Sequence, residues 1–120
     1  LRTNIQLKDA VKQWGNIAGL VAGLAKNDYQ LIARSLEDVI IEPVRSLLIP
    51  GYEKVNQAAI EQGALGCSIS GSGPSVFALC ETQEIAENAA IVMQKEFSQL
   101  EIDSVKYISR INTEGVKIIE

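Results

Sequence analysis

The run Ser68-Ile69-Ser70-Gly71-Ser72-Gly73-Pro74-Ser75 concentrates residues that could do chemistry. Glycines at 71 and 73 open backbone conformations closed to other residues. Successive N–H groups in such a turn can point into one concavity and take an anion, and Ser70, Ser72 and Ser75 add hydroxyl donors. The plainer reading is a turn joining two strands, where serine and glycine are common. No Gly-Lys-Ser/Thr follows, so the run is not a Walker loop, and its spacing is not that of a dinucleotide fingerprint. A second segment, Glu42-Pro43-Val44-Arg45, puts an arginine in the first turn of a short helix started by proline. A guanidinium held there matches a carboxylate or phosphate with a two-pronged fork. From position alone the plainer reading is an exposed arginine or one paired with Glu42. Glu42 itself reads as an unpaired surface carboxylate before it reads as a general base.

Other residue types narrow the field. The chain has no histidine, which excludes imidazole as base or metal ligand within it. Cys67 and Cys80 lie in apolar, strand-like runs and read as buried free thiols in a reducing compartment. No metal site is expected, because no ligands cluster at short spacing. Trp14 and Tyr52 read as core or edge packing residues rather than substrate platforms.

The elements that must carry these residues follow from periodicity. Asn4 to Asn27 reads as a helix with Leu7, Val11, Trp14, Ala18, Val21 and Ala25 on one face. Gly15, Gly19 and Gly23, spaced by four on the same helix, imply close packing of another element. Asp28 is placed to cap a second helix reaching about Ile41, and Pro43 starts a third to Ile49. A fourth runs from Tyr52 to Gln62, with Gly63 as its terminator. Ala64–Ser70 and Val76–Cys80 read as strands, and Thr82 caps a fifth helix facing inward through Ile85, Ala89, Val92, Met93, Phe97 and Leu100. Val105 to Asn112 alternates like a strand, Asn112-Thr113-Glu114-Gly115 is a hairpin turn, and Val116 to Ile119 closes the pair. The expected fold is α+β: a four-stranded antiparallel sheet with helices packed on one face.

The chain has 120 residues with 11 Lys+Arg against 15 Asp+Glu, a net charge of −4, and is 47% hydrophobic. That is one domain, residues 1–120, with enough apolar residues for a core. It excludes a disordered chain and argues against a nucleic-acid partner. No stretch is apolar enough to span a membrane, and no signal segment is visible. The start Leu1-Arg2, with Met93 the only methionine, is expected of a piece of a longer protein.

The run from Gly63 to Leu79, Gly-Ala-Leu-Gly-Cys-Ser-Ile-Ser-Gly-Ser-Gly-Pro-Ser-Val-Phe-Ala-Leu, resembles the third signature motif of the GHMP small-molecule kinases. Asp38-Val39-Ile40-Ile41-Glu42-Pro43-Val44-Arg45 with Leu48-Ile49-Pro50-Gly51-Tyr52 is similar to the homoserine kinases among them. So is the closing Ser109-Arg110-Ile111-Asn112-Thr113-Glu114-Gly115. The resemblance covers essentially the whole chain, as the C-terminal domain only.

That resemblance implies a ferredoxin-like C-terminal domain and ATP-dependent phosphorylation of the L-homoserine side-chain hydroxyl, on the cytoplasmic route to threonine. It implies ATP with Mg²⁺ in the parent enzyme and neither bound to this fragment. The family's phosphate loop, Pro-x-x-x-Gly-Leu-Gly-Ser-Ser, and its acidic residue belong to an N-terminal domain absent here. No catalytic residue is therefore expected in this fragment, which alone should be inactive. By position Arg45 would hold the homoserine α-carboxylate, and Ser70, Gly71, Ser72, Gly73 and Pro74 would support the phosphate loop. A second substrate-binding arginine is expected upstream of Leu1. The implied partners are L-homoserine and the N-terminal domain, with a homodimer as a further expectation. The competing readings are another GHMP kinase acting on mevalonate or a sugar, a free-standing amino-acid-binding regulatory module, and a dimerisation domain using the glycine row.

Overall fold

The computed structural model describes residues 3–119; of the span read as one domain, residues 1, 2 and 120 lie outside the described residues. Helix α1 runs Leu7–Lys26, α2 Tyr29–Ser35 and the single-turn α3 Glu42–Arg45. A 3-10 turn, Ser46–Leu48, leads to α4, Tyr52–Glu61. Strands β1, Gly66–Ile69, and β2, Val76–Leu79, are followed by α5, Gln83–Gln99.

The ends of these helices follow from local chemistry. The α1 helix stops where Asn27 takes a left-handed φ of 54°. The Asp28 amide then donates back to the Gly23 carbonyl at 2.9 Å, the pattern that satisfies a helix's last carbonyls. Asp28 turns to its other neighbour and caps α2, accepting from the Leu31 amide at 3.0 Å. Gly63, at φ +94°, ends α4 the same way, with Ala64 N–H donating to the Ala59 carbonyl at 3.1 Å. Thr82 caps α5 through the Ile85 amide at 3.2 Å.

The second helix is shorter than its apolar spacing predicts. Asp38 intervenes, its Oδ1 accepting from the Ile40 and Ile41 amides at 2.8 Å each. That Asp side chain offers the backbone a turn in place of helical bonds. Polar side chains of α1 hold the segment that results. Gln13 Oε1 accepts from the Val39 amide at 3.0 Å, Asn16 Nδ2 donates to the Glu37 carbonyl at 2.7 Å, and Lys12 pairs with Glu37 at 2.8 Å.

The shared apolar face of α1 is uncovered among the described residues. Leu7, Val11 and Val21 are exposed, and Trp14 retains 62% of its accessible surface. What packs on α2 is the glycine side. A Cβ at Gly23 would come within 2.9 Å of Ile32 Cγ1 and 3.0 Å of the Ile32 amide nitrogen, and one at Gly19 would strike Ser35 Oγ. Close backbone approach decided the pairing, and the glycines that permit it lie apart from the apolar stripe. Gly19 and Gly23 are thereby packed against α2 of the same chain. Gly15 has nothing within 4 Å of its Cβ position. Gly15→Ala should therefore raise stability by about 0.5–1 kcal/mol through helix propensity. Gly23→Ala should lower it by about 1–3 kcal/mol through overpacking. Thermal unfolding of the two variants checks the opposite signs.

The core lies where α4 and α5 meet the hairpin. Val55 and Ala59 of α4 are fully enclosed, and Ala59, Ala64, Cys67 and Ala89 form one cluster, with Ala78, Cys80 and Met93 against it. Strands β1 and β2 pair antiparallel, Gly66 opposite Leu79 and Ile69 opposite Val76.

The α+β class holds, but the sheet has two strands among the described residues, not four. The turn read at Asn112 forms: its Oδ1 accepts from the Glu114 amide and its Nδ2 donates to the Gly115 carbonyl, each at 3.0 Å. The arms on either side of it do not pair. Val105, Tyr107, Val116, Ile118 and Ile119 stand exposed, and none belongs to the β1–β2 sheet. An isolated pair of strands without a face to pack on is marginal in water. The expected ferredoxin-like arrangement, which needs this second pair in the sheet, is accordingly not present in the described residues.

Candidate functional site

Proline and aspartate build the first part of the site. The Asp38 turn delivers the chain to α3, Pro43 occupies its first turn, and the Arg45 amide closes that turn on the Ile41 carbonyl at 3.0 Å. This aims the Arg45 side chain at the β1–β2 loop, where Nη1 donates to the Ser72 carbonyl oxygen at 3.0 Å. The two segments singled out in the sequence, twenty-seven positions apart, thus meet. Only part of the guanidinium's five-donor fork is used in that bond.

The loop is closed by its own backbone. Ser70 N–H donates to the Ser75 carbonyl at 2.8 Å and Gly73 N–H to the Ser70 carbonyl at 3.1 Å. Gly71 at φ +60° and Gly73 at φ +82° make the turn, and the Gly73–Pro74 peptide is cis. The Cβ position of Gly73 faces Ile49 Cδ1 and Ile69 Cγ2, both at 3.5 Å, so the loop rests on the chain just after α3. With the Ser70 and Gly73 amides used internally and Pro74 lacking one, the anion concavity read from the glycine spacing shrinks. Gly71 and Ser72 N–H remain, with the serine hydroxyls.

Glu42 is not the unpaired surface carboxylate expected. Its Oε2 accepts from Ser68 Oγ at 2.7 Å and it is partly buried. Beneath it, Tyr52 is 4% exposed, its hydroxyl making a long 3.5 Å contact with the Cys67 carbonyl. Burial first, then hydrogen bonding and charge from Glu42, push the Tyr52 hydroxyl far above its ordinary value. Burial is also the main reason the Cys67 thiol is pushed up to about 12, with Glu42 and Cys80 adding to it. Cys80 is raised too, by burial, though only partly enclosed. Sequence patterning had no means to find this cluster, since Glu42, Tyr52 and Ser68 share no element.

The raised thiol carries a pH consequence. The neutral form is favoured in the fold, so its stabilising share is complete below the ordinary value of about 9. That share falls away as pH rises towards about 12. A thiol reagent at pH 8 should leave Cys67 unmodified until denaturant unfolds the chain, while Cys80 reacts in the folded state. Peptide mapping of the labelled cysteines reads the difference; early labelling of Cys67 would contradict its burial.

The residues present do not fit a magnesium ion or a triphosphate. Glu42, the one carboxylate at the site, already accepts the Ser68 hydroxyl. Among the described residues no three His, Cys, Asp or Glu side chains gather as ligands. Arg45 and the loop lie on open surface. Two shallow surface hollows lie elsewhere, one along Glu53, Gln57 and Glu61 of α4 and one where Pro50–Tyr52 meets Leu100. No helix is long and apolar enough to cross a membrane among the described residues.

A glycine-turned hairpin backed by two helices, with an arginine from a proline-started turn laid across its loop, places the chain in a class. It belongs to the GHMP kinase family, matching the family described as GHMP kinases C terminal over residues 20–99. Within that family it is similar to homoserine kinases. The homoserine kinase of Chlorobium phaeovibrioides is 51% identical, over 99% of this chain and 38% of its own length. That of Chlorobaculum tepidum is 48% identical over 99% of this chain and 37% of its own. A crystal structure of homoserine kinase from Cytophaga hutchinsonii superposes with a TM-score of 0.94 at 54% identity, over 99% of this chain and 38% of that one. The chain therefore spans less than two-fifths of the length of these relatives.

Proposed function

We propose that residues 1–120 are the C-terminal, substrate-side domain of a longer homoserine kinase. That enzyme would transfer the γ-phosphoryl of ATP to the side-chain hydroxyl of L-homoserine, a step in threonine formation. The observation that carries this reading is the Arg45 guanidinium held against the glycine loop by its 3.0 Å bond to Ser72. One edge of the fork is fixed to the protein and the rest can clamp the substrate α-carboxylate. The Ser70, Gly71, Ser72, Gly73 and Pro74 loop supplies a rigid wall beside it. Phosphoryl transfer asks little covalent chemistry of the protein and much positioning, so a clamp and a wall are the parts this chain would contribute. ATP and Mg²⁺ belong, in this reading, to the remainder of the longer protein, which also covers the exposed apolar stripe of α1. In the isolated chain the same stripe would favour self-association. A cytoplasmic location fits two cysteines kept as thiols.

The test assays the longer protein and the 120-residue chain side by side with ATP and homoserine, mevalonate or galactose. Turnover of homoserine by the longer protein and none by the chain is expected. Turnover of another acceptor would discard the carboxylate clamp. Inactivity of the longer protein with amino-acid binding by the chain would favour a regulatory module.

A further inference from the structure

Helix α3 is a single turn of four residues, and a helix that short has no stability of its own. Its direction must be imposed from outside, and with it the aim of Arg45. Two side chains of α3 reach the same hairpin. Glu42, at its start, accepts from Ser68 Oγ of β1 at 2.7 Å. Arg45, at its end, donates to the Ser72 carbonyl of the loop at 3.0 Å. Residues three apart lie on one face of a helix, so both pins act from the side turned to the hairpin. Beneath Glu42 the enclosed Tyr52 gives that end a rigid floor.

We propose that Glu42 is a positioning residue, which fixes α3 to β1 so that Arg45 meets the substrate carboxylate already oriented. This rests on the reading of Arg45 as the carboxylate clamp. Without the Glu42–Ser68 bond, Arg45 itself makes the remaining side-chain hydrogen bond from the turn to the hairpin among the described residues. The guanidinium must then hold its own helix in place while also holding a ligand. Preorganisation is lost, and the cost appears in homoserine binding rather than in the chemistry.

The test measures homoserine and ATP kinetics in the longer protein for Glu42→Ala, Glu42→Gln, Ser68→Ala and Arg45→Ala, and for Glu42→Ala combined with Arg45→Ala. Glu42→Ala and Ser68→Ala should each raise the homoserine KM roughly tenfold, the scale of one lost charge-assisted hydrogen bond. The ATP KM should stay put and kcat at saturating homoserine should move less than about threefold. Glu42→Gln, which keeps an acceptor for the Ser68 hydroxyl, should restore most of the loss. Adding Glu42→Ala to Arg45→Ala should cost almost nothing more, since the first acts through the second. Should Glu42→Ala fail to fold, Ser68→Ala removes the same bond while leaving the carboxylate. If Arg45→Ala raises the homoserine KM while Ser68→Ala and Glu42→Ala do not, the positioning role is overturned and the clamp survives. Full additivity with Arg45→Ala, or a Gln variant as impaired as the Ala variant, also overturns it. An unchanged homoserine KM in Arg45→Ala removes the clamp itself, and the proposal with it.

Discussion

With the rest of the longer protein closed over the site, Arg45→Ala is expected to raise the homoserine KM by on the order of 30- to 5,000-fold, the equivalent of about 2–5 kcal/mol for a charge pair that this closure desolvates. The ATP KM should be nearly unchanged, because the residues around Arg45 do not suit a nucleotide. Arg45→Lys is informative beside it. A lysine keeps the charge but has no planar fork, so it cannot both donate to the Ser72 carbonyl and grip a carboxylate in two-pronged fashion. Its homoserine KM should fall nearer the alanine variant than the native enzyme. Steady-state kinetics with homoserine as the varied substrate decides; native-like values for the alanine variant would end the clamp assignment.

Gly73→Val should be the most damaging change in the loop. At φ +82° a side chain is strained whatever space surrounds it, and a β-branched residue tolerates that region worst. The expected loss is about 1–3 kcal/mol. The Cβ position is in ordinary contact with Ile49 and Ile69 at 3.5 Å, so the two added methyl groups must also push on the segment after α3. Relief of either strain moves the Ser72 carbonyl to which Arg45 donates. The homoserine KM should therefore rise along with the fall in melting temperature. Gly71→Ala is the comparison: φ is +60° but nothing lies within 4 Å, so the backbone cost of about 1–2 kcal/mol comes without crowding. A Gly73→Val protein with native melting temperature and native KM would show that the loop's shape does not matter.

Most of what could be read from the sequence was local. Asp28, Thr82 and Gly63 announce helix ends because capping depends on a residue and its neighbours within one turn, and all three do so in the structure. The glycine loop announced itself for the same reason. What escaped depended on partners. The α1 stripe of Leu7, Val11, Trp14 and Val21 has helical spacing, but spacing tells which residues share a face and not whether anything covers it. The strand pattern after Val105 has the same character: alternation is a property of one segment, pairing of two. The polar cluster of Glu42, Ser68 and Tyr52 was illegible because its members come from α3, β1 and α4 and meet only in three dimensions. Arg45 lay between these cases. Its chemistry could be stated in advance, while its meeting with Ser72 could not.

The pairing of α1 with α2 through glycine has a consequence for the order in which the chain comes apart. These two helices, with the 37–39 segment that Lys12, Gln13 and Asn16 hold, are expected to open as one cooperative unit. Helices α4 and α5 with the hairpin form another, and it alone contains the fully enclosed Val55 and Ala59. Proteins open in such contiguous pieces, and the piece with fewer buried apolar contacts opens first. Amides of α1 and α2 should thus exchange with solvent through excursions that leave the α4 and α5 amides protected. The segment from Leu36 to Arg45 is the seam between the two units, with Leu36 lying against Gly66 of β1. Opening of the first unit frees the 37–39 segment that leads into α3. The population of that open form would then set how often Arg45 loses its aim.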